Sequence, residues 1–372
     1  MNQSHAVSAA DLLERDVLPT YTSSARNLIK GRVALVTGAG GSIGSEIVNQ
    51  LSILGAESII CVDRDEYALY KLQLETTGTA LLTDEKLILA DIQNYRSLSG
   101  IMKKWKPSIV FHAAAVKHLP LLERSPDMAI LTNVMGTENV VRACIENNVE
   151  RMVNISTDKA ATPISVLGKT KRLAEIITRE YSDRGTLLSS VRFGNVFASR
   201  GSFIETLRWQ AANNKQVTIT DPDTTRYFMT IPQAACLVIE AAVLANTGQT
   251  YVLDMGEPVK IVDLVNRYMK LAGLPQPTVA HSGLRAGEKM HERLFDAKEE
   301  DVATQHPLIS TVTVEASGED VVANIQALYA MVSDVNTTRK GLHEELEYLI
   351  NGAEHDEAND VGVVSAALAF AK

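Results

Sequence analysis

A short apolar run, Arg32 to Val36, passes directly into Thr37-Gly-Ala-Gly-Gly-Ser-Ile-Gly44, and a helical pattern follows over Glu46 to Leu54. A strand, a glycine turn and a helix in that order leave few folds open. Glycines at Gly38, Gly41 and Gly44 suit a tight turn, a close backbone approach to a pyrophosphate, and helix packing on a sheet. The free amides at the helix start, around Ser42 and Ile43, then face the phosphates. A second apolar run, Ser58 to Val62, ends in Asp63, 19 residues after Gly44, where a carboxylate accepts ribose hydroxyls. This combination points to a nicotinamide dinucleotide, with NAD favoured. Arg64, beside the expected ribose, leaves NADP as the alternative.

Further strands are expected at Lys86 to Leu89, Ser108 to Phe111, Arg151 to Ile155 and Leu187 to Arg192, separated by segments of helical period. That alternation predicts an α/β fold, a Rossmann-type doubly wound parallel sheet, over residues 31–200. Asp91 and Ile92 after the third strand, and Ala113, Ala114 and Ala115 after the fourth, would then lie along the cofactor crevice. Beyond Gly201 the strands shorten (Gln216 to Ile219, Thr250 to Leu253, Thr278 to His281) among helices such as Ile231 to Leu244 and Ile261 to Leu271. Residues 201–318 therefore read as a smaller substrate-binding lobe. Residues 1–30 read as an arm, 319–351 as two helices, 352–360 as an acidic linker, and the last twelve residues as an apolar tail.

Composition narrows the partners. A net charge of −9 argues against general nucleic-acid binding and requires a locally basic pocket for any anionic substrate. No apolar run approaches the roughly 20 residues of a membrane span, and the polar N-terminus, with Asp11, Glu14 and Asp16, has no signal-peptide pattern. Cys61, Cys144 and Cys236 lie in apolar patterns without ligand spacing, so buried free thiols in a reducing cytoplasm are expected. The eight histidines form no zinc pattern.

Chemistry is expected at Thr157-Asp158-Lys159, directly after the predicted fifth strand and twelve residues before Lys171. Together with the glycine turn, the motifs His112-Ala-Ala-Ala-Val-Lys-His118, Ser156-Thr-Asp-Lys-Ala160, Arg192-Phe-Gly-Asn-Val196, Ser199-Arg-Gly-Ser202, Thr225-Arg-Tyr-Phe-Met-Thr-Ile231 and Gly287-Glu-Lys289 resemble the extended short-chain dehydrogenase/reductases. Within them the chain most resembles the UDP-N-acetylglucosamine 4,6-dehydratases, over about residues 10 to 300. Asp11-Leu-Leu-Glu-Arg15 resembles the segment that, in long relatives, follows an N-terminal membrane part.

The resemblance implies transient oxidation at carbon 4 of a nucleotide-linked hexose by bound NAD(P), loss of water across carbons 5 and 6, and return of the hydride to carbon 6. It makes Asp158 the acid, Lys159 the carbon 5 base, Thr157 a partner of the carbon 4 oxygen, and Lys171 a nicotinamide-ribose ligand. Asp158 must then hold a proton and Lys159 lose one, against their ordinary pKa values; burial against substrate, with Lys171 as a nearby like charge on Lys159, is expected to drive both. Lys117, His118, Arg192, Asn195, Arg200, Arg226 and Arg285 occupy motif positions near diphosphate, sugar or nucleoside. The resemblance also implies a homo-oligomer, with Thr132 to Asn147 and Ser165 to Tyr181 as the helices between subunits.

Leu167 stands where the superfamily usually has the tyrosine base, four residues before Lys171. Leucine moves no proton, so the carbon 4 hydroxyl proton must leave through Thr157, Asp158 or water. A nucleotide-sugar 4-epimerase or oxidoreductase, a dehydratase for a GDP-linked sugar, and a non-catalytic nucleotide-sugar-binding protein remain the other readings. Ala286, in place of a proline, and Phe203-Ile-Glu205 leave the sugar open.

Overall fold

The computed structural model describes residues 7–13, 20–314 and 321–351. Its principal element is a nine-stranded sheet: β1 (Val33–Thr37), β2 (Ser58–Asp63), β3 (Leu87–Leu89), β4 (Ile109–His112), β5 (Arg151–Ile155), β6 (Leu187–Arg192), β7 (Gln249–Leu253), β8 (Val302–Ala303) and β9 (Ile309–Val312). The order across the sheet is β8-β9-β7-β6-β5-β4-β1-β2-β3. Strands β3 to β7 in that order pair in parallel, and β9 and β8 add an antiparallel edge. β1, β4 and β5 are buried along most or all of their length, as strands covered by helices on both faces must be.

The sequence reverses direction across the sheet between β1 and β4, so the loops after these strands open a crevice at their carboxyl ends. The longer helices are α1 (Ser42–Ile53), α2 (Glu66–Thr77), α3 (Tyr95–Trp105), α4 (Gly136–Glu146), α5 (Val166–Glu180), α6 (Phe203–Ala212), α7 (Ile231–Leu244), α8 (Ile261–Leu271), α9 (Val321–Ser333) and α10 (Arg339–Asn351), of which α6 and α8 pack away from this sheet. One core lies between the sheet and α3, α4 and α5, a second between the sheet and α1 and α7. α5 begins where Ser165 caps it, its side chain accepting from the Gly168 amide at 3.1 Å.

The expected boundary at residue 200 does not hold as a single cut. β7 and β9 return to the main sheet because their apolar residues, Tyr251, Val252, Leu253 and Ile309, complete its core, and the exposed β8 pairs onto β9 at the edge. A third, smaller core gathers Phe197, Ile204, Leu207, Val217, Phe228, Ile261 and Leu264 around three two-stranded ladders. The described parts of the expected arm are also integral. Leu12 is buried in the third core, while Ala25 and Ile29 are buried against α7. Thr22 is tied to Glu240 by two hydrogen bonds, of 2.6 and 2.8 Å.

The two helices expected between subunits, around α4 and α5, are packed by this chain's own α9 and α10. Gln326 of α9 donates to Glu138 of α4, and Lys169 of α5 pairs with Glu347 of α10. The acidic linker and apolar tail, residues 352–372, lie outside the described residues, as does part of the segment Asp11 to Arg15. All three cysteines are buried free thiols. Among the described residues no helix is long and apolar enough to cross a membrane.

Candidate active site

The glycine turn is shaped by its neighbours. Gly38 has φ +66°, and a Cβ there would come within 2.6 Å of the Ala114 backbone, so the loop after β4 lies directly against the turn. A Cβ on Gly44 would reach 2.1 Å from the Gly38 oxygen, so only glycine lets α1 start this close to β1. Asp63 at the end of β2 accepts from the Gly40 amide at 2.9 Å and from the Asp65 amide at 3.0 Å. Its carboxylate is thereby fixed beside the turn. Arg64 forms an exposed pair with Asp91 at 3.7 Å. Ile92 is buried under Gly136, where a Cβ would meet its side chain.

A cavity of about 1180 Å³ runs from this turn across the carboxyl ends of the strands. Gly41, Ser42, Ile43, Gly44, Ala113 and Ala115 line its first end; Ala114 lies behind them, and Asp63, Arg64, Asp91 and Ile92 flank it without forming its wall. The uncapped start of α1, with the Gly41 to Gly44 backbone facing the cavity, suits the phosphates of a dinucleotide.

Thr157, Lys159, Leu167 and Lys171 share the middle of the cavity. Strand pairing carries past β5, since the Ser156 and Asp158 amides donate to Val191 and Phe193 at 2.7 and 2.9 Å. The backbone of the triplet is thereby tied to β6 and the residue after it. Thr157 caps a single turn over Asp158–Ala160 and donates its hydroxyl to Asp158 Oδ1 at 3.0 Å. Lys159 Nζ lies 2.9 Å from the same oxygen and 3.6 Å from Glu292 Oε1. Asp158 is fully buried, and its Oδ2 has no hydrogen-bond partner. Gly168 brings α5 onto the triplet, since a Cβ there would come 2.5 Å from the Lys159 oxygen.

Without substrate, the two lysines are shifted in opposite directions. Burial alone would lower Lys159, but Asp158 and Glu292 outweigh it and hold its pKa above the ordinary value; the opposing cation is Arg226, not Lys171. Lys171 is lowered to about 8 by burial, against the pull of Glu175. Nearby His112 is buried between Thr37 at 2.7 Å and Thr137 at 3.1 Å, and burial, then Lys171, lowers it to about 3. Since the Thr137 hydroxyl donates to the Asn133 oxygen, it accepts from Nε2 of a neutral His112.

At the far end Lys117, His118, Asn195, Arg200, Arg226 and Arg285 all line the cavity. Burial lowers Lys117, with Glu205 opposing and Arg200 assisting. Arg200 reaches toward the cofactor end: its amide donates to Ser42 Oγ at 2.9 Å and its guanidinium lies 3.4 Å from Asp65. Arg226 and Arg285 converge on Glu288, at 3.4 and 3.0 Å. Although burial pushes the other way, Arg285 and Arg226 hold Glu288 below the usual carboxylate range.

Arg192 corrects the expected substrate set. Its side chain is fully buried, bound by Glu175 at 2.8 Å and Glu299 at 2.7 Å, and does not reach the cavity. A guanidinium with both partners satisfied in the interior serves the packing of β6 on α5. Sequence reasoning missed Gly40, Gly168, Glu288 and Glu292 as site residues. Glu292 carried one signal: it stands three residues after Lys289, the end of a quoted motif.

Residues 34–314 match the family model described as polysaccharide biosynthesis protein. The probable polysaccharide biosynthesis protein EpsC of Bacillus subtilis is 44% identical over 79% of this chain, and the chain spans about half of it, 50%. A protein named UDP-glucose 4-epimerase, from Rickettsia rickettsii, is 31% identical over 86% of this chain and 95% of its own length. Among solved structures, Pen from Bacillus thuringiensis superposes with a TM-score of 0.70 at 31% identity, over 77% of this chain and 88% of Pen. DesIV of Streptomyces venezuelae, a dTDP-glucose 4,6-dehydratase solved with NAD bound, shares the fold, with a TM-score of 0.64 at 20% identity, over 72% of this chain and 89% of DesIV.

Proposed function

The chain belongs to the polysaccharide biosynthesis protein family, and on that premise we propose that it is an NAD-dependent nucleotide-sugar 4,6-dehydratase whose substrate is UDP-N-acetylglucosamine. One observation carries the reading. Thr157 and Lys159 line the cavity beside Leu167, and Asp158, buried directly behind them, contacts both through Oδ1, so an acid and a base for water loss lie together where the usual phenolic base is replaced by an apolar side chain.

NAD fits the turn through the fixed Asp63 carboxylate, which suits ribose hydroxyls and disfavours a 2′-phosphate, and through the α1 amides. When bound it takes the hydride from carbon 4 and returns it at carbon 6. Lys171 holds the nicotinamide ribose. The Thr157 to Asp158 hydrogen bond supports a route for the carbon 4 hydroxyl proton: Thr157 accepts it and passes its own to Asp158. Asp158 then donates that proton to the departing carbon 6 oxygen, so its acid form is generated by the first step. Lys159 removes the carbon 5 proton, which the carbon 4 ketone has made acidic. Arg226 and Arg285 meet the diphosphate, with Lys117, His118 and Asn195 toward the hexose, and Arg200 at the cofactor side.

The test is incubation of the purified chain with UDP-N-acetylglucosamine in deuterated water, without added cofactor. A product that has lost one water and carries deuterium at carbon 5 supports the proposal. Accumulation of the carbon 4 epimer instead sinks it in favour of the epimerase reading, which the Rickettsia relative's name favours.

A further inference from the structure

Two carboxylates, not one, face Lys159. Besides Asp158 there is Glu292, almost fully buried, which comes from the segment after Gly287 rather than from the β5 turn. Its Oε1 lies 3.6 Å from Lys159 Nζ, a few tenths of an ångström beyond hydrogen-bond distance. Behind it Lys289 sits 3.1 Å from Oε2, in ion-pair reach but without hydrogen-bond geometry, leaving Oε2 unsatisfied. Lys289 is itself pinned, donating to the Thr162 oxygen and hydroxyl at 2.7 Å each. Glu292 therefore has a fixed cation behind it and Lys159 in front. An unsatisfied buried carboxylate oxygen carries a desolvation cost that function commonly explains.

The dehydratase reading, on which this inference rests, leaves a proton unaccounted for. Lys159 is held protonated in the resting site, and a protonated lysine cannot remove the carbon 5 proton. Asp158 cannot take the ammonium proton, because it has just received the one from the carbon 4 hydroxyl. We propose that Glu292 is a proton relay acting through Lys159, accepting the Nζ proton before the carbon 5 bond breaks and returning it when the product has formed.

The protons then balance. At rest Lys159 is an ammonium and Asp158 and Glu292 are carboxylates. As carbon 4 is oxidised its hydroxyl proton reaches Asp158 through Thr157, and Lys159 loses its ion-pair partner. An N–H bond of Lys159 breaks and an O–H bond of Glu292 forms. The carbon 5 proton moves to Nζ, its electron pair forms the carbon 5 to carbon 6 double bond, and the carbon 6 oxygen leaves as water with the proton of Asp158. The hydride taken from carbon 4 is added at carbon 6, Nζ returns its proton to carbon 5, and Glu292 reprotonates Lys159. All three side chains end as they began. The other charged groups facing this pair among the described residues are Arg226, which opposes the proton on Lys159, and Lys289, 3.1 Å from Glu292 Oε2.

The test uses the full chain as wild type, Glu292→Gln and Glu292→Asp, assayed with UDP-N-acetylglucosamine in deuterated buffers from about pH 6 to about pH 10. The relay predicts a wild-type rate nearly flat around neutrality. Glu292→Gln should fall by about 10²-fold at neutral pH and climb with pH as solvent base takes over, with Glu292→Asp between the two. A second measurement needs no turnover: trace acetylation of Lys159 with acetic anhydride in the ligand-free protein, followed by peptide mass spectrometry. Lys159 should become reactive at lower pH in Glu292→Gln, because one of its two anions is gone. A Glu292→Gln profile parallel to wild type, whatever its height, or an unshifted Lys159 reactivity, overturns the relay while leaving the dehydratase reading intact. A wild type that forms product by no dehydration at all overturns both together.

Discussion

Lys159 and Lys171 face one cavity, yet their surroundings drive them apart. Lys171 has burial against it and only Glu175 in its favour, so its proton is held loosely, with a pKa of about 8 against the ordinary 10.5. Here the folded-state pKa lies below the unfolded one, so the charged form destabilises the fold. That cost is full below about pH 8 and fades as the pH rises toward 10.5. Lys171→Met in nucleotide-free protein should accordingly be more stable than wild type by up to about 3 kcal/mol at neutral pH. The difference between their urea midpoints should shrink toward pH 10.5; a gap independent of pH would refute the assignment. The Thr157 hydroxyl offers a second residue-scale expectation. On the proposed proton route, Thr157→Val removes the link between the carbon 4 oxygen and Asp158 and should lower kcat by about 10²-fold. Substrate deuterated at carbon 4 should then slow the variant more than wild type, because oxidation has become limiting; an unchanged isotope effect would place the proton route elsewhere.

At the scale of elements, the geometry of the Thr157-Asp158-Lys159 triplet depends on how α5 is seated. Glu123 accepts from the Val166 amide at its first turn, at 2.8 Å, and Gly168 allows that turn to touch Lys159. Further along, Glu175 binds Ser156 at 2.6 Å and Arg192 at 2.8 Å, joining α5 to both β5 and β6. Glu299 closes the group from the C-terminal side, with Arg192 at 2.7 Å and Arg172 also in contact. Arg192→Met would leave the buried Glu175 and Glu299 with Arg172 as the cation they share, and should cost about 3–5 kcal/mol in a urea titration. UDP binding by the folded protein should be little changed. A large loss of UDP affinity without loss of stability would return Arg192 to the substrate set. The motif containing Arg192 was legible in sequence; its role was not, because the residues that satisfy it, Glu175 and Glu299, are separated from it by 17 and 107 positions.

For the whole molecule, the C-terminal helices do more than extend the chain. Ile325, Leu328, Leu342, Leu346 and Leu349 are buried in the same core as α4 and α5, and the Glu138 carboxylate is shared by Tyr181 of the α5 end and Gln326 of α9. α9 and α10 thus support the helix that carries Lys171 and Leu167. Leu346, fully buried, lies in the middle of this contact. Leu346→Ala should lower stability by about 2–5 kcal/mol through the cavity it leaves. Calorimetry should show one lowered transition if α10 unfolds together with the sheet, whereas a separate early transition would mean that the helices dock as an independent unit.

Local chemistry fixed much of the secondary structure in advance. Strand and helix periods, the positive φ that Gly38 requires and the close approach at Gly44 depend on residues near one another in the chain, so Arg151–Ile155, Ile231–Leu244 and Ile261–Leu271 were readable to the residue. Most of the cavity wall followed, because loops after parallel strands converge at their carboxyl ends. Tertiary structure alone decided the return of β7, β8 and β9 to the main sheet, the burial of Arg192 and the charge on Lys159. Each depends on a partner far away in sequence: a strand edge that could have paired elsewhere, or a carboxylate such as Glu292 brought in from 133 positions beyond Lys159. Electrostatic energy falls with distance in space and is indifferent to distance along the chain, so no local pattern could disclose that Lys159 faces two anions.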